Sequence, residues 1–144
     1  MRRFPRAASG LALVSLLSLA SPSHAQGDPE AGAKAFAKCR ACHSITATDG
    51  TAIVRGGKTG PDLYGVVGRG AGLEFNYSPA LRKAHETGLV WSAESLTQFL
   101  ADPTAFLKTY TGDDGARSKM AFRLTRGAED IIAYLASLSG PQPD

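Results

Sequence analysis

Cys39-Arg40-Ala41-Cys42-His43 constrains this chain more than any other five residues, because it holds the only two cysteines among 144 residues and sets a histidine directly after the second. On a helical turn, residues 39, 42 and 43 stand at i, i+3 and i+4, so both thiols and the imidazole leave one side of the backbone. That is the C-x-x-C-H pattern of c-type haem attachment, in which two thiols close on the two vinyl groups of one haem and the ring beside them reaches the iron. Other readings compete. A redox dithiol wants a βαβ setting, which this neighbourhood lacks. A zinc site needs about four nitrogen, sulfur or carboxylate ligands, and here His43 abuts Cys42 in a chain with three histidines in all. A purely structural disulfide across two residues closes too small a loop to stabilise a domain much. Chance occurrence is the last, and the exported context weighs against it.

That context comes from residues 1–25, which read as a cleavable secretory signal. Arg2, Arg3 and Arg6 form a basic front, an apolar stretch follows over about Ala7 to Ala20, and Ser23 and Ala25 supply the small residues of a cut before Gln26. The stretch is shorter than the roughly 20 residues that cross a bilayer, so no membrane anchor is expected in the mature chain. One domain, 26–144, remains. Cleavage removes three of the 16 basic residues and none of the 13 acids, which takes the formal charge from +3 to zero. Without a basic field a phosphate backbone has nothing to hold, so nucleic acid is excluded as a partner. The expected product is a soluble periplasmic monomer.

Asp28-Pro29-Glu30 combines an N-cap residue, a proline at the first helical position and an acid in the first turn. It predicts a helix that runs past Phe36 and carries Cys39 and Cys42 at its end, with Gly32 and Phe36 on one face. From Ser44 to Ala71 the helical period stops and glycines stand at 50, 56, 57, 60, 65, 68 and 70, which predicts a long loop. So long a loop in a small domain needs something other than protein core to hold it. Helical signals return at Ser78-Pro79, after Ser92, around Pro103 to Lys108, and over about Ala128 to Leu138. In the last, Ile131, Tyr134 and Leu135 share a face suited to Gly32 and Phe36. No alternating segment is long enough for a sheet, so the fold class is all-α, loop-rich and single-domain.

One histidine leaves the far side of the iron to be filled. Met120 is the only methionine after the initiator and sits in the irregular segment Ser118-Lys119-Met120-Ala121-Phe122. Core packing is the usual role of a methionine; beside a haem motif, a thioether that favours ferrous iron and raises the potential is the better assignment. His85 competes, but among Arg82, Lys83 and Glu86 it reads as a surface residue. The alternative class, a haem enzyme or gas-binding haem sensor, needs an open sixth position.

With these residues in hand, the chain resembles the class I cytochromes c, and within them the longer bacterial cytochrome c2 type, over nearly all of Gly27 to Leu138. The resemblance is carried by Cys39 to His43, by Lys58-Thr59-Gly60-Pro61-Asp62-Leu63-Tyr64-Gly65-Val66-Val67-Gly68-Arg69, by Asp102-Pro103-Thr104 and by Lys119-Met120. It implies helices and long loops wrapped around one haem c bound through Cys39 and Cys42, with His43 and Met120 as iron ligands. It also implies that the Pro61 carbonyl accepts from the ring N–H of His43. Arg69, Tyr77 and Trp91 then lie around a buried propionate, with Ser118 a further donor. The implied function is one-electron transport rather than enzymatic catalysis. The partners are a cytochrome bc complex or a dehydrogenase on one side, and a terminal oxidase or photosynthetic reaction centre on the other. They are met transiently, through Phe122 and a basic rim of Lys38, Arg40, Lys58, Lys108, Lys119 and Arg123. Two departures stand out. Phe99 occupies the place where many relatives set a tyrosine hydroxyl near the methionine sulfur, and Thr111 to Arg117 lacks the proline that shorter relatives carry before the methionine loop.

Overall fold

Each of the first four helices begins where a side chain can take a free amide. The computed structural model describes residues 27–138, so the secretory segment and the cut before Gln26 lie outside the described residues. In α1 (Pro29–Ala35) the Asp28 carboxylate accepts from the Glu30 N–H at 2.8 Å. The Ser78 hydroxyl accepts from Leu81 ahead of α2 (Pro79–Glu86), and Ser92 and Ser95 form a reciprocal capping box at α3 (Ala93–Ala101). At α4 (Pro103–Thr111) the Asp102 carboxylate accepts from the Ala105 N–H at 2.9 Å. Each cap contributes about 1 kcal/mol. The described residues end with α5 (Ala128–Leu138), over the span expected from the sequence.

The terminal helices cross as the sequence pattern anticipates. A Cβ at Gly32 would run into the Asp130 carbonyl and come within 2.8 Å of the Tyr134 Cβ, so only glycine permits the approach. The Phe36 and Tyr134 rings meet edge to face at 5.8 Å, and the Asp28 N–H donates to Asp130 Oδ1 at 2.8 Å. Helix α5 also packs on α3, and α4 lies against both α2 and α3. Between them Trp91, Phe99 and Phe106 form a buried aromatic group, with Trp91 and Phe99 5.0 Å apart and Phe99 and Phe106 5.8 Å apart.

Two expectations need correction. The first helix does not reach the cysteines: α1 stops at Ala35, and a 3-10 turn over Phe36–Lys38 follows. The Cys39 and Arg40 amides both donate to the Phe36 carbonyl, at 2.8 and 3.2 Å, which tightens the backbone. A separate turn then forms, in which the Cys42 and His43 amides both donate to the Cys39 carbonyl, at 3.1 and 2.9 Å. The i, i+3, i+4 offset therefore survives outside the helix. The second correction is a small sheet inside the long loop. Strands β1 (Ile45–Thr46) and β2 (Ala52–Val54) pair antiparallel, Ile45 opposite Val54 and Thr46 opposite Ala52. Two paired positions are too few to leave an alternating pattern. The rest of the loop is stitched to the α2–α3 connection by Gly68 N–H to Trp91 O (2.7 Å), Ala71 N–H to Leu89 O (2.8 Å) and Trp91 N–H to Arg69 O (2.9 Å).

Candidate functional site

The imidazole of His43 is 9% exposed and held by the loop that follows it. Its Nδ1 lies 2.7 Å from the Pro61 carbonyl oxygen, the contact expected for a ring that donates there. That bond fixes the tautomer and leaves Nε2 as the nitrogen able to take a metal. Gly60 packs against the ring, where a Cβ would collide with Cε1 and both ring nitrogens. Gly56 and Gly57 pack as closely on the carbonyls of His43 and Ala41. The Gly57 and Gly60 amides donate to the Arg40 and Cys42 carbonyls, both at 2.8 Å. The glycine-rich stretch thus satisfies the backbone of the pentapeptide and encloses its histidine.

Asp62 ties the same loop to the hairpin. Its carboxylate accepts from the Ser44 hydroxyl (2.9 Å) and the amides of Thr46 (3.1 Å) and Tyr64 (2.9 Å). Partial burial pushes the carboxyl upward, but the Tyr64 and Thr46 amides with the Thr46 and Ser44 side chains outweigh it and hold the group below the usual carboxylate range. The Arg69 guanidinium donates to the carbonyls of Asp62 (2.9 Å) and Tyr64 (3.1 Å). Pro61, Asp62, Arg69 and Tyr77 line one cavity of about 90 Å³ with Leu73, Glu74 and Phe75. Burial drives the Tyr77 phenol above its ordinary value, against the lowering pull of Arg69, so it stays protonated and able to donate. Trp91 stacks in the aromatic core and joins this group through its backbone bond to Arg69.

Ser118 lies elsewhere: its hydroxyl accepts the Met120 N–H at 3.1 Å, and its own amide donates to Thr104 Oγ1 at 3.2 Å. Met120 is half-buried against the core. Phe99, packed on Trp91 and Phe106, supplies no hydroxyl. His85 is half-buried beside Gly70 and Gly72 rather than on open surface. Of the basic rim, Arg123 pairs with Asp102 at 2.9 Å and Lys119 donates to Asn76, while Arg40 reaches the Arg55 carbonyl at 3.3 Å. Cys39 and Cys42 are unbridged. Burial raises the Cys39 thiol, more than Lys38 lowers it, the opposite of what a redox dithiol needs. The thiols of Cys39 and Cys42, an imidazole with Nε2 available and the thioether of Met120 make up a donor set whose chemistry fits a haem c.

Comparison with known proteins decides the family. The chain is 54% identical to cytochrome c-551 of Roseobacter denitrificans, over 84% of this chain and 88% of that protein. It is 50% identical to cytochrome c2 of Rhodobacter capsulatus, over 88% of this chain and 93% of that one. This chain belongs to the cytochrome c2 family. The solved cytochrome c2 of Paracoccus denitrificans superposes with a TM-score of 0.75 at 43% identity, covering 77% of this chain and 95% of that structure. The cytochrome c2 of Rhodobacter capsulatus gives the same score at 50% identity, with 77% and 97% covered. No protein-family model matches the chain.

The fold is therefore that of a class I cytochrome c, and the group carried is one haem c joined through Cys39 and Cys42. Cytochromes c2 are electron carriers and not enzymes, and these relatives lend no support to an enzyme or gas sensor with an open iron. Among the described residues no helix is long and apolar enough to cross a membrane. Sequence reasoning overlooked the close fit of Gly60 on His43, the anchoring of Ser118 by Thr104, and Asn76. Clustered glycines after the pentapeptide carried a trace of the first; the other two depend on contacts between distant loops.

Proposed function

We propose that this cytochrome is exported to the periplasm, cut before Gln26, and shuttles single electrons as a soluble monomer. Its donor is a cytochrome bc complex or a dehydrogenase, and its acceptor a terminal oxidase or photosynthetic reaction centre. Haem c supplies a one-electron ferric/ferrous couple when bound. The His43 Nε2 and the Met120 sulfur are the two protein atoms that would hold its iron. Pro61 orients the imidazole, Arg69 and Tyr77 donate toward a propionate, Trp91 shields that end from water, and Ser118 fixes the backbone of the methionine. With the same two residues kept as ligands in both oxidation states, little would have to rearrange as an electron came and went.

The observation that carries this reading is the 2.7 Å contact between His43 and Pro61, which commits Nδ1 and frees Nε2. Potentiometry of the purified holoprotein, with absorption of the ferric form, tests it. A high potential and a weak far-red band are expected; a ferrous form that binds carbon monoxide readily overturns the methionine ligand. Phe122, 41% exposed, and the charges of Lys38, Arg40, Lys58 and Lys108 form the docking patch. Electron-transfer rates to an acidic partner should fall as salt rises, and a rise refutes the steering. Intact mass after denaturation reads both the covalent haem and the start of the mature chain.

A further inference from the structure

Asp62 stands next to the bond that orients His43. Ser44 directly follows the histidine and Asp62 directly follows Pro61, so the Asp62 carboxylate bridges the pair of residues one step beyond the His43–Pro61 contact. The Leu63 N–H donates to the Ser44 carbonyl at 3.0 Å and closes the same seam from the backbone. On the carboxylate itself, Oδ2 takes the Ser44 hydroxyl while Oδ1 takes the amides of Thr46 and Tyr64. These donors do not call for an acid. An asparagine oxygen could accept both amides while its NH2 group donated to the Ser44 hydroxyl, which can act in either sense. What the carboxylate adds is charge. Its hydrogen bonds hold it ionised at neutral pH. Among the described residues the one ion pair is Arg123 with Asp102, and the Arg69 guanidinium turns to the carbonyls of Asp62 and Tyr64 rather than to the carboxylate. Asp62 thus carries a partly buried negative charge that no cation meets at salt-bridge distance.

We propose that Asp62 is a positioning residue on the imidazole side, which keeps Pro61 against His43 and sets a fixed negative charge there that lowers the reduction potential. The inference rests on His43 as an iron ligand. Ferric iron carries one more positive charge than ferrous, so an anion held beside the ligand loop favours the oxidised state. The bond from His43 to Pro61 acts in the same direction, because an imidazole that donates at Nδ1 is a more basic ligand.

Potentiometry of the holoprotein at neutral pH and low ionic strength, where screening is weakest, reads the charge. Exchange of the His43 Nδ1 hydrogen, followed by NMR in the ferrous form, reads the positioning. Asp62→Asn removes the charge and keeps the bonds: it should shift the reduction equilibrium about threefold or more toward the ferrous form and leave the exchange rate near that of the parent. Asp62→Ala loses both, so the exchange should also quicken about tenfold. Ser44→Ala keeps the charge and should keep the parental potential. So should Asp49→Asn, which removes an equal charge from the exposed turn between β1 and β2. A parental potential in Asp62→Asn overturns the proposal, as does an equal rise in Ser44→Ala or Asp49→Asn, or an unchanged exchange rate in Asp62→Ala. The His43 ring hydrogens separate the two claims. If in the ferrous protein they lack the upfield displacement of an imidazole above a haem face, the ligand assignment fails and the inference with it, whereas displaced ring hydrogens beside a parental potential in Asp62→Asn sink the inference alone.

Discussion

The two proposed iron ligands sit in unlike surroundings. His43 is buried, packed closely by Gly60, bonded to Pro61 and enclosed by a loop that satisfies the carbonyls on both sides of it. Met120 is half-buried on an irregular segment whose amides rest on hydroxyls. The imidazole side is built by backbone packing, which tolerates little change in shape. The sulfur side is built from separable side-chain bonds, each removable on its own. A molecule organised this way should lose and regain the sulfur while the imidazole stays in place.

Four substitutions press on that contrast. The largest effect belongs to Met120→Ala. Axial ligands span roughly 0.8 V of haem potential, and loss of the thioether should lower it by a few tenths of a volt in potentiometric titration while circular dichroism stays native. Gly60→Ala should do the reverse, because its Cβ meets the His43 ring and neither the loop nor the imidazole can yield. It should cost about 3 kcal/mol or more in denaturant unfolding and lower the yield of holoprotein. An intact, equally stable Gly60→Ala protein breaks the comparison.

Asp62 gives the imidazole side its pH dependence. The folded carboxyl lies below its ordinary value, so its contribution is present above the unfolded pKa of about 4 and fades as pH falls through the lowered folded one. Asp62→Asn should therefore lie about 1 kcal/mol below the parent at neutral pH, a figure kept small because the group is partly solvated, and the gap should close on acidification. Thr104→Val should have the smallest effect on unfolding, below about 1 kcal/mol, since Ser118 loses an acceptor that water can replace. Its mark should be a far-red band that weakens at lower temperature than in the parent.

Much of this was legible in the chain because the signals are local. Asp28, Ser78, Ser92 and Asp102 announce helix starts, and three are followed by proline. The periodicity of Ile131, Tyr134 and Leu135 placed α5 against Gly32 and Phe36, and the pentapeptide announced its own chemistry. The end of α1 was not legible, because no glycine or proline stops it at Ala35. The backbone tightens there through two amides that share the Phe36 carbonyl, and the turn that follows lends its own carbonyls to Gly57 and Gly60. The hairpin pairs too few residues to show a period. Pro61, Arg69 and Tyr77 came through family resemblance, since a carbonyl acceptor or a buried phenol has no signature of its own. The contact of Lys119 with Asn76 needed the fold itself, as nothing near Lys119 in the sequence points to Asn76.

The crossing of α1 and α5 bears on how the protein is made. Asp28 is joined to Asp130, 102 positions later, so this corner cannot close until synthesis is nearly complete. A nascent polypeptide threaded front end first presents its thiols well before that seal exists. Cys39, half-buried in the finished molecule, is at its most accessible during this interval, and the order of synthesis becomes part of how the cofactor is installed.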